Sequence, residues 1–412
     1  MMEHHYPQPI QKRFFTPGVL FLCLLVANGL VFAVMRFVFG IGSITHLNQQ
    51  YPWGIWIGID VAAGVALAAG GFTTAALVYV FHQERFHDLV RPALLTAMLG
   101  YTFVALGVLF DLGRYYFIYH PLFMWNGNSV LFEVGICVMA YISVLYIEFM
   151  PIVCERFLGR VSLPGKLALL RQPVENLLKW IQEVLKKTLF FFIILGIVLS
   201  CLHQSSLGTL MIIAGQKIHP LWQTPIAPLL FLLSAFAVGF PMVIMEGLVG
   251  AKSFDLKPEM PLLSPLAKWV GPMLLLVLAF RLGDMAIRET WVYLNAFNKH
   301  SVMWAIEIIF GLLIPLRLFF WKRVRQSPRL LLVASLLVIF GVFLNRFNTF
   351  VTAYHPPYAK EPYWPSYGEI SVTLGFIALE ILLYRLMVKL FPVITQAAPQ
   401  RAKRFAREGR LL

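Results

Sequence analysis

Residues Ile226–Leu248 read IAPLLFLLSAFAVGFPMVIMEGL. The run is long enough to cross a hydrocarbon layer of about 30 Å as a helix rising 1.5 Å per residue. It shows neither the alternation of a half-buried strand nor the single apolar stripe of a soluble helix. Its one ionisable residue, Glu246, stands near its end. Comparable runs lie near 17–39, 54–80, 92–110, 129–153, 188–214, 268–288, 302–320, 329–350 and 370–391, which makes ten candidate spans. The whole chain is 59% hydrophobic and 13% charged, against about 25% charged for a soluble domain. These figures exclude an ordinary soluble multidomain enzyme and predict an all-α, polytopic membrane protein.

Lys and Arg number 34 and Asp and Glu 20. With the N-terminus placed inside, 23 of the 34 basic residues fall in inner segments, and only Arg114, Lys217, Lys299, Arg346 and Lys360 fall outside. Retention of Lys and Arg in cytoplasmic loops explains this asymmetry without nucleic acid. It predicts cytoplasmic residues 1–16, a membrane domain over 17–391 and a basic cytoplasmic tail over 392–412. A polar stretch precedes the first run and no small-residue cleavage site follows it, so the first span is expected to stay. Cys23, Cys137, Cys154 and Cys201 form no CxxC pair, which argues against a metal site, an iron–sulfur cluster or a disulfide framework in this chain. Of ten histidines only His203 lies clearly within a span. A bis-histidine haem needs a facing pair, so no haem is expected.

The longest inner segment contains Pro173-Val174-Glu175-Asn176-Leu177-Leu178, continuing through Trp180 and Ile181 to Val184 and Leu185. Its apolar residues share one helical stripe. This predicts an amphipathic helix over about 166–187 lying on the inner interface and joining two halves. The halves resemble each other. Phe110-Asp111-Leu112-Gly113-Arg114 ends span 3 and Phe280-Arg281-Leu282-Gly283-Asp284 ends span 7; Ser129-Val130-Leu131-Phe132-Glu133 opens span 4, and Ser301-Val302-Met303-Trp304, followed by Glu307, opens span 8. The expected architecture is two related four-helix bundles, spans 2–5 (54–214) and spans 6–9 (226–350), with spans 1 and 10 peripheral.

An ionisable side chain at the centre of a bilayer costs at least about 2.5–3.5 kcal/mol and marks function by default. Read by depth, Asp60, Asp111, Arg114, Glu133 and His203 gather near the outer face of spans 2–5, with Tyr101 deeper. Asp111 and Arg114, at i,i+3, are spaced to pair for assembly. Glu133 and His203 have no neutralising neighbour in sequence, which favours proton handling or ligand binding. Arg281, Asp284 and Glu307 form a matching set in the second half, expected to be mainly structural. Glu246 either faces water at the inner end of span 6 or opens a proton route there. The outer loops carry Asn48-Gln49-Gln50-Tyr51-Pro52-Trp53-Gly54, His219-Pro220-Leu221-Trp222 and Tyr354-His355-Pro356-Pro357-Tyr358. Their aromatic residues suit an interfacial belt and a docking surface for an outer partner.

The run Tyr51-Pro52-Trp53-Gly54 leading to Asp60, with Val90-Arg91-Pro92-Ala93-Leu94-Leu95, resembles the NrfD/PsrC (polysulfide reductase membrane subunit) superfamily. Asp111-Leu112-Gly113-Arg114-Tyr115, Asn128-Ser129-Val130-Leu131-Phe132-Glu133, His203-Gln204-Ser205-Ser206-Leu207-Gly208 and His219-Pro220-Leu221-Trp222-Gln223 are similar to its ten-span, HybB-like branch. That branch includes membrane subunits of periplasmic NiFe hydrogenases and of sister quinone reductase complexes. The resemblance implies a quinone-reactive subunit of a bacterial inner-membrane respiratory oxidoreductase, not active alone. It would exchange electrons between a periplasmic ferredoxin-like iron–sulfur subunit and menaquinone or another quinone near the outer face. An outer catalytic or cytochrome c subunit would complete the complex. The resemblance also implies quinone binding near His203, Asp60, Arg114 and Asp111, and proton transfer by Glu133, His203, Tyr101 and Glu246. Protons drawn from the inner side would make the reaction voltage-generating, at about 2.3 kcal/mol per charge per 100 mV. Two other readings compete. A secondary transporter would place its site at the bilayer midplane between paired halves. A passive anchor for a periplasmic oxidoreductase gives no reason for Glu133 and His203 within the bilayer.

Overall fold

The computed structural model describes residues 5–162 and 164–397. It is all-helical apart from one short antiparallel strand pair. Among the described residues ten helices are long and apolar enough to cross a membrane: α1 (Pro17–Phe39), α2 (Trp56–Val80), α3 (Glu84–Asp111), α4 (Val130–Phe157), α5 (Ala168–Lys217), α6 (Ala227–Ser253), α7 (Met260–Ile287), α8 (Lys299–Phe320), α9 (Pro328–Thr352) and α10 (Tyr367–Leu390). Hydroxyl caps set several starts: Thr16 accepts from the Val19 amide, Ser129 from Phe132 and Ser366 from Glu369. Each cap satisfies an amide that the first turn leaves without a helical partner.

Helix α2 packs on α3 and α5, and α4 on α3 and α5; α6 packs on α7 and α9, and α8 on α7 and α9. Helix α6 also contacts α2 and α5, joining the two sets. Helix α1 rests on α10, which itself packs on α3. The tightest crossings are made by glycine. A Cβ on Gly311 of α8 would lie 2.5 Å from the Gly341 Cα of α9, and one on Gly29 of α1 only 3.0 Å from the Gly375 Cα of α10. Such small-residue contacts let helix backbones meet where no hydrophobic drive operates between them.

Helix α2 is irregular: Trp56–Ala63 and Ala76–Val80 wind in wide π-type turns. Insertions of this kind concentrate at functional sites, and Asp60 lies in the first of them. Helix α9 ends in a similar turn over Asn348–Thr352, closed by a 2.7 Å bond from the Ala353 amide to the Asn348 carbonyl.

The fifth helix corrects one expectation. The amphipathic stretch is not a separate interfacial helix: Arg171–Ala214 is one uninterrupted helix of 44 residues. That is about 66 Å, roughly twice the hydrocarbon thickness. No proline follows Pro173 until Pro220, so nothing in the sequence breaks it. Its extension leans on the end of α4, where Leu178 is buried with Cys154 and Val161. Trp180 on the opposite side is 64% exposed.

The first and last described segments meet. His5–Pro7 pairs antiparallel with Thr395–Ala397, and Ile10 is buried, its amide bonded to the Val388 carbonyl at 3.1 Å. Arg385 of α10 donates to the carbonyls of Arg13 and Phe14 and to Ser253. The basic tail lies mostly at 398–412, outside the described residues.

Candidate functional site

His203, on α5, is fully buried. Its Nδ1 lies 3.4 Å from the Tyr101 hydroxyl of α3 and its Nε2 has no hydrogen-bond partner among the described residues. Tyr101, equally buried, meets the Tyr141 ring of α4 edge-on at 4.4 Å. The next residue, Gln204, donates to the Val65 carbonyl of α2 at 2.8 Å and leaves its Oε1 unpaired. One turn along α5, the Ser206 hydroxyl donates to Glu133 of α4 at 2.5 Å. Three of the sequence-predicted residues, His203, Tyr101 and Glu133, are thus arranged across α3, α4 and α5. Glu133 departs from expectation in one respect: it sits in the first turn of α4 and is exposed rather than buried.

Asp60 and Glu246 belong elsewhere. Both line a cavity of about 670 Å³ between α1, α2, α3, α6, α9 and α10. Glu246 accepts from Thr96 at 2.8 Å and from Tyr384 at 2.6 Å; Asp60 accepts from Thr373 at 2.9 Å. Gly100 of α3 lines this cavity, whereas its neighbour Tyr101 turns to His203. Helix α3 therefore separates Glu246 from Tyr101, and the two do not form one chain. A third carboxyl, Glu380 of α10, shares the cavity. Like Glu148 of α4, it lies in the middle of an apolar run, so the intramembrane-charge rule applies to both from sequence alone.

The Asp111–Arg114 pair does not form. Arg114 is exposed and has no ion pair among the described residues, while Asp111 lies within electrostatic reach of Arg36 of α1. Arg36 is 1% exposed and donates to the Phe110 carbonyl at 2.9 Å and to that of Leu112. It satisfies the open end of α3, where cations are favoured. Glu369 stands in the same region, buried, and accepts from the Tyr363 hydroxyl and the His46 and Ser366 amides.

In the second half Arg281 pairs with Glu307, as expected, but Asp284 pairs with Arg288 at 2.7 Å instead. Glu307 is 2% exposed and also accepts from Trp222 at 2.9 Å and from Asn345 and Asn348 at 2.8 Å each. Arg346, expected in an outer segment, is fully buried in α9. It lies 3.6 Å over the Phe231 ring and donates to Ser234. Buried charges with this many partners describe a structural network.

Above these sites, loops knit the two sets of helices together. The His219 amide donates to the Ala353 carbonyl, and the His355 amide to that of Lys217. The Tyr51 hydroxyl and His355 Nδ1 are 2.8 Å apart. The His219 ring stacks on His300 at 4.2 Å, and burial together with that neighbour pushes its pKa down to about 4.

Ten apolar helices enclosing two separate polar clusters define a multi-pass integral membrane protein. The chain belongs to the polysulphide reductase NrfD family, whose model matches residues 42–356. It is 36% identical to the probable Ni/Fe-hydrogenase 2 b-type cytochrome subunit of Escherichia coli K12, over 95% of both chains. It is 25% identical to the menaquinone reductase integral membrane subunit of Nitratidesulfovibrio vulgaris, over 98% of this chain and 100% of that one. It is 21% identical to the Hdr-like menaquinol oxidoreductase integral membrane subunit of Archaeoglobus fulgidus, over 92% and 94%.

Proposed function

We propose that this chain is the quinone-reactive subunit of a respiratory complex, with the quinone ring received beside His203. The observation that carries this reading is the buried His203 side chain, one ring nitrogen on Tyr101 and the other free. A neutral imidazole donates through one nitrogen, so it offers a quinone carbonyl a hydrogen bond and a quinol hydroxyl an acceptor. Ser206 of α5, one turn from His203, donates to Glu133 in the first turn of α4, which gives a short polar link from the His203 side chain to the exposed end of that helix. The names of the two relatives that act on menaquinone or menaquinol support the substrate class. Reduction of a quinone consumes two electrons and two protons. The electrons would come from an iron–sulfur subunit docked on the aromatic loops, where Phe123, Trp125 and Phe297 are 78%, 79% and 90% exposed. A catalytic or cytochrome c subunit would lie beyond it.

The basic loops favour a bacterial inner-membrane location with both termini cytoplasmic. The E. coli relative's name implies haem, but the residues here do not suit a bis-histidine group. The polar neighbours of His203 are Tyr101 and Gln204, and the other described histidines lie at or beyond the helix ends. Replacing His203 with Phe in the purified complex should weaken a fluorescent quinone-analogue inhibitor about tenfold, the equivalent of one lost hydrogen bond of ~1.4 kcal/mol. Unaltered binding would refute the assignment.

A further inference from the structure

Helices α4 and α5 touch at two places in the half of the molecule that carries the basic loops. A Cβ on Gly196 of α5 would lie 3.3 Å from the Val144 Cγ1 of α4, and the Cys154 thiol donates to the Leu178 carbonyl at 3.7 Å. At 1.5 Å per residue, α5 covers about 27 Å between these contacts and α4 about 15 Å, so the two helices part in between. Pro151 favours the divergence, because it has no amide to give the Ile147 carbonyl. A groove of about 300 Å³ opens there, with Ile147 and Met150 on one wall and Ile181, Val184 and Phe192 on the other. Its walls are apolar, since the Thr188 hydroxyl that lines it donates to the Val184 carbonyl at 3.0 Å.

The groove crosses the edge of the hydrocarbon. The apolar run of α5 begins at Thr188, just after Lys186 and Lys187. On the bilayer side Phe191 is 64% exposed, as a lipid-facing side chain is. On the other side Trp180, which also lines the groove, stands about 10 Å beyond Lys187, against a headgroup layer about 5–7 Å deep. One end of the groove therefore opens on acyl chains and the other on headgroups. Cations gather at the headgroup end, and the acids of that region are already committed: Glu155 to Arg91, Glu175 to Arg171 and Glu183 to Lys186. Arg156, Arg160, Lys179 and Lys187 have no ion pair among the described residues.

We infer that the groove seats one anionic phospholipid, with an acyl chain between α4 and α5 and the phosphate beside Lys187 and Trp180. The Trp180 indole N–H makes no hydrogen bond to the described residues and is a donor for that phosphate. A zwitterionic lipid would fill the same walls but leave the cations uncompensated. A second copy of the chain, docked through the same patch, would bring its own unpaired cations against these. Basic pockets between membrane helices hold anionic headgroups by this combination of charge and apolar wall. The seated chain closes the wedge between the two helices and steadies the lower part of α5, the helix that carries His203.

The test uses the full chain, purified in mild detergent and given equal amounts of phosphatidylglycerol and phosphatidylcholine, with retained lipid counted by native mass spectrometry. One phosphatidylglycerol per chain should be retained in preference to phosphatidylcholine. Lys187→Gln should lower that preference about fivefold, as for one cation lost near an anionic headgroup. Val184→Trp fills the groove without changing charge and should remove retained lipid of either kind. Thermal unfolding checks the same point: added phosphatidylglycerol should raise the midpoint of the wild type and leave that of Val184→Trp in place. Equal retention of the two lipids would overturn the proposal, as would a preference unchanged in Lys187→Gln or an equal rise in both midpoints. A wild-type chain that runs as a pair and becomes single in Val184→Trp would overturn it too, because a second copy then covers the groove.

Discussion

Glu307, itself buried, receives Arg281, Trp222, Asn345 and Asn348. Removing it by Glu307→Ala leaves Arg281 and the neighbouring Arg346 without compensation. Breaking one side of a buried pair costs about 3–5 kcal/mol, so this variant should unfold at markedly lower denaturant concentration in detergent. Arg114→Ala, by contrast, removes an exposed side chain and should leave stability within ~0.5 kcal/mol of wild type. The contrast shows how residues were legible in the sequence. His203, Glu133 and Glu307 stood out because each is an ionisable group in an apolar run. Asp111 and Arg114 were paired on spacing, but their true geometry depends on Arg36, distant in sequence and brought to α3 only because α1 lies alongside.

At the scale of the helix, all ten crossings were legible from hydropathy, because bilayer thickness sets their length. Their irregularities were not. The wide turns of α2 and the continuity of α5 depend on what packs against them, and the same apolar composition serves a straight helix or an interrupted one. Close packing yields a prediction. Gly311→Leu would force α8 and α9 apart at a point where even a Cβ does not fit. It should destabilise the second set of helices by several kcal/mol, as overpacking of a tight core does, and the loss should appear as faster proteolysis of the α8–α9 segment. The matching landmarks near 110–133 and 280–307 predict two related units; the helices make contacts within α2–α5 and within α6–α9, but α6 also packs on α2 and α5, and α9 on α2.

For the whole molecule, the aromatic face carries a pH dependence. His219 has its pKa pushed down to about 4 by burial and by His300, against about 6.5 when unfolded. Between those values the unfolded chain binds a proton that the folded chain refuses, so stability is full above about pH 6.5 and falls as the pH drops toward 4. Thermal unfolding in detergent should show this decline, and His219→Gln should flatten it. An unchanged slope in the variant would assign the dependence to other groups. The division of polar residues between two sides of α3 is also a property of the whole molecule. Depth along the membrane was readable from sequence, but rotation about each helix axis was not, and rotation decides that Tyr101 serves His203 while Gly100 serves Glu380.

The pairing of His5–Pro7 with Thr395–Ala397, together with the seating of α1 on α10, bears on how the protein is made. Helix α1 leaves the ribosome well before α10, its main packing partner. At about 5–20 residues per second, synthesis of the intervening chain takes on the order of tens of seconds. During that interval α1 stands in lipid with its Gly29 face, which packs on Ser371 and Gly375 of α10, uncovered. Packing of α1 must therefore wait for α10, and a chain stopped before α10 should present α1 to the cell's membrane quality control as an orphan.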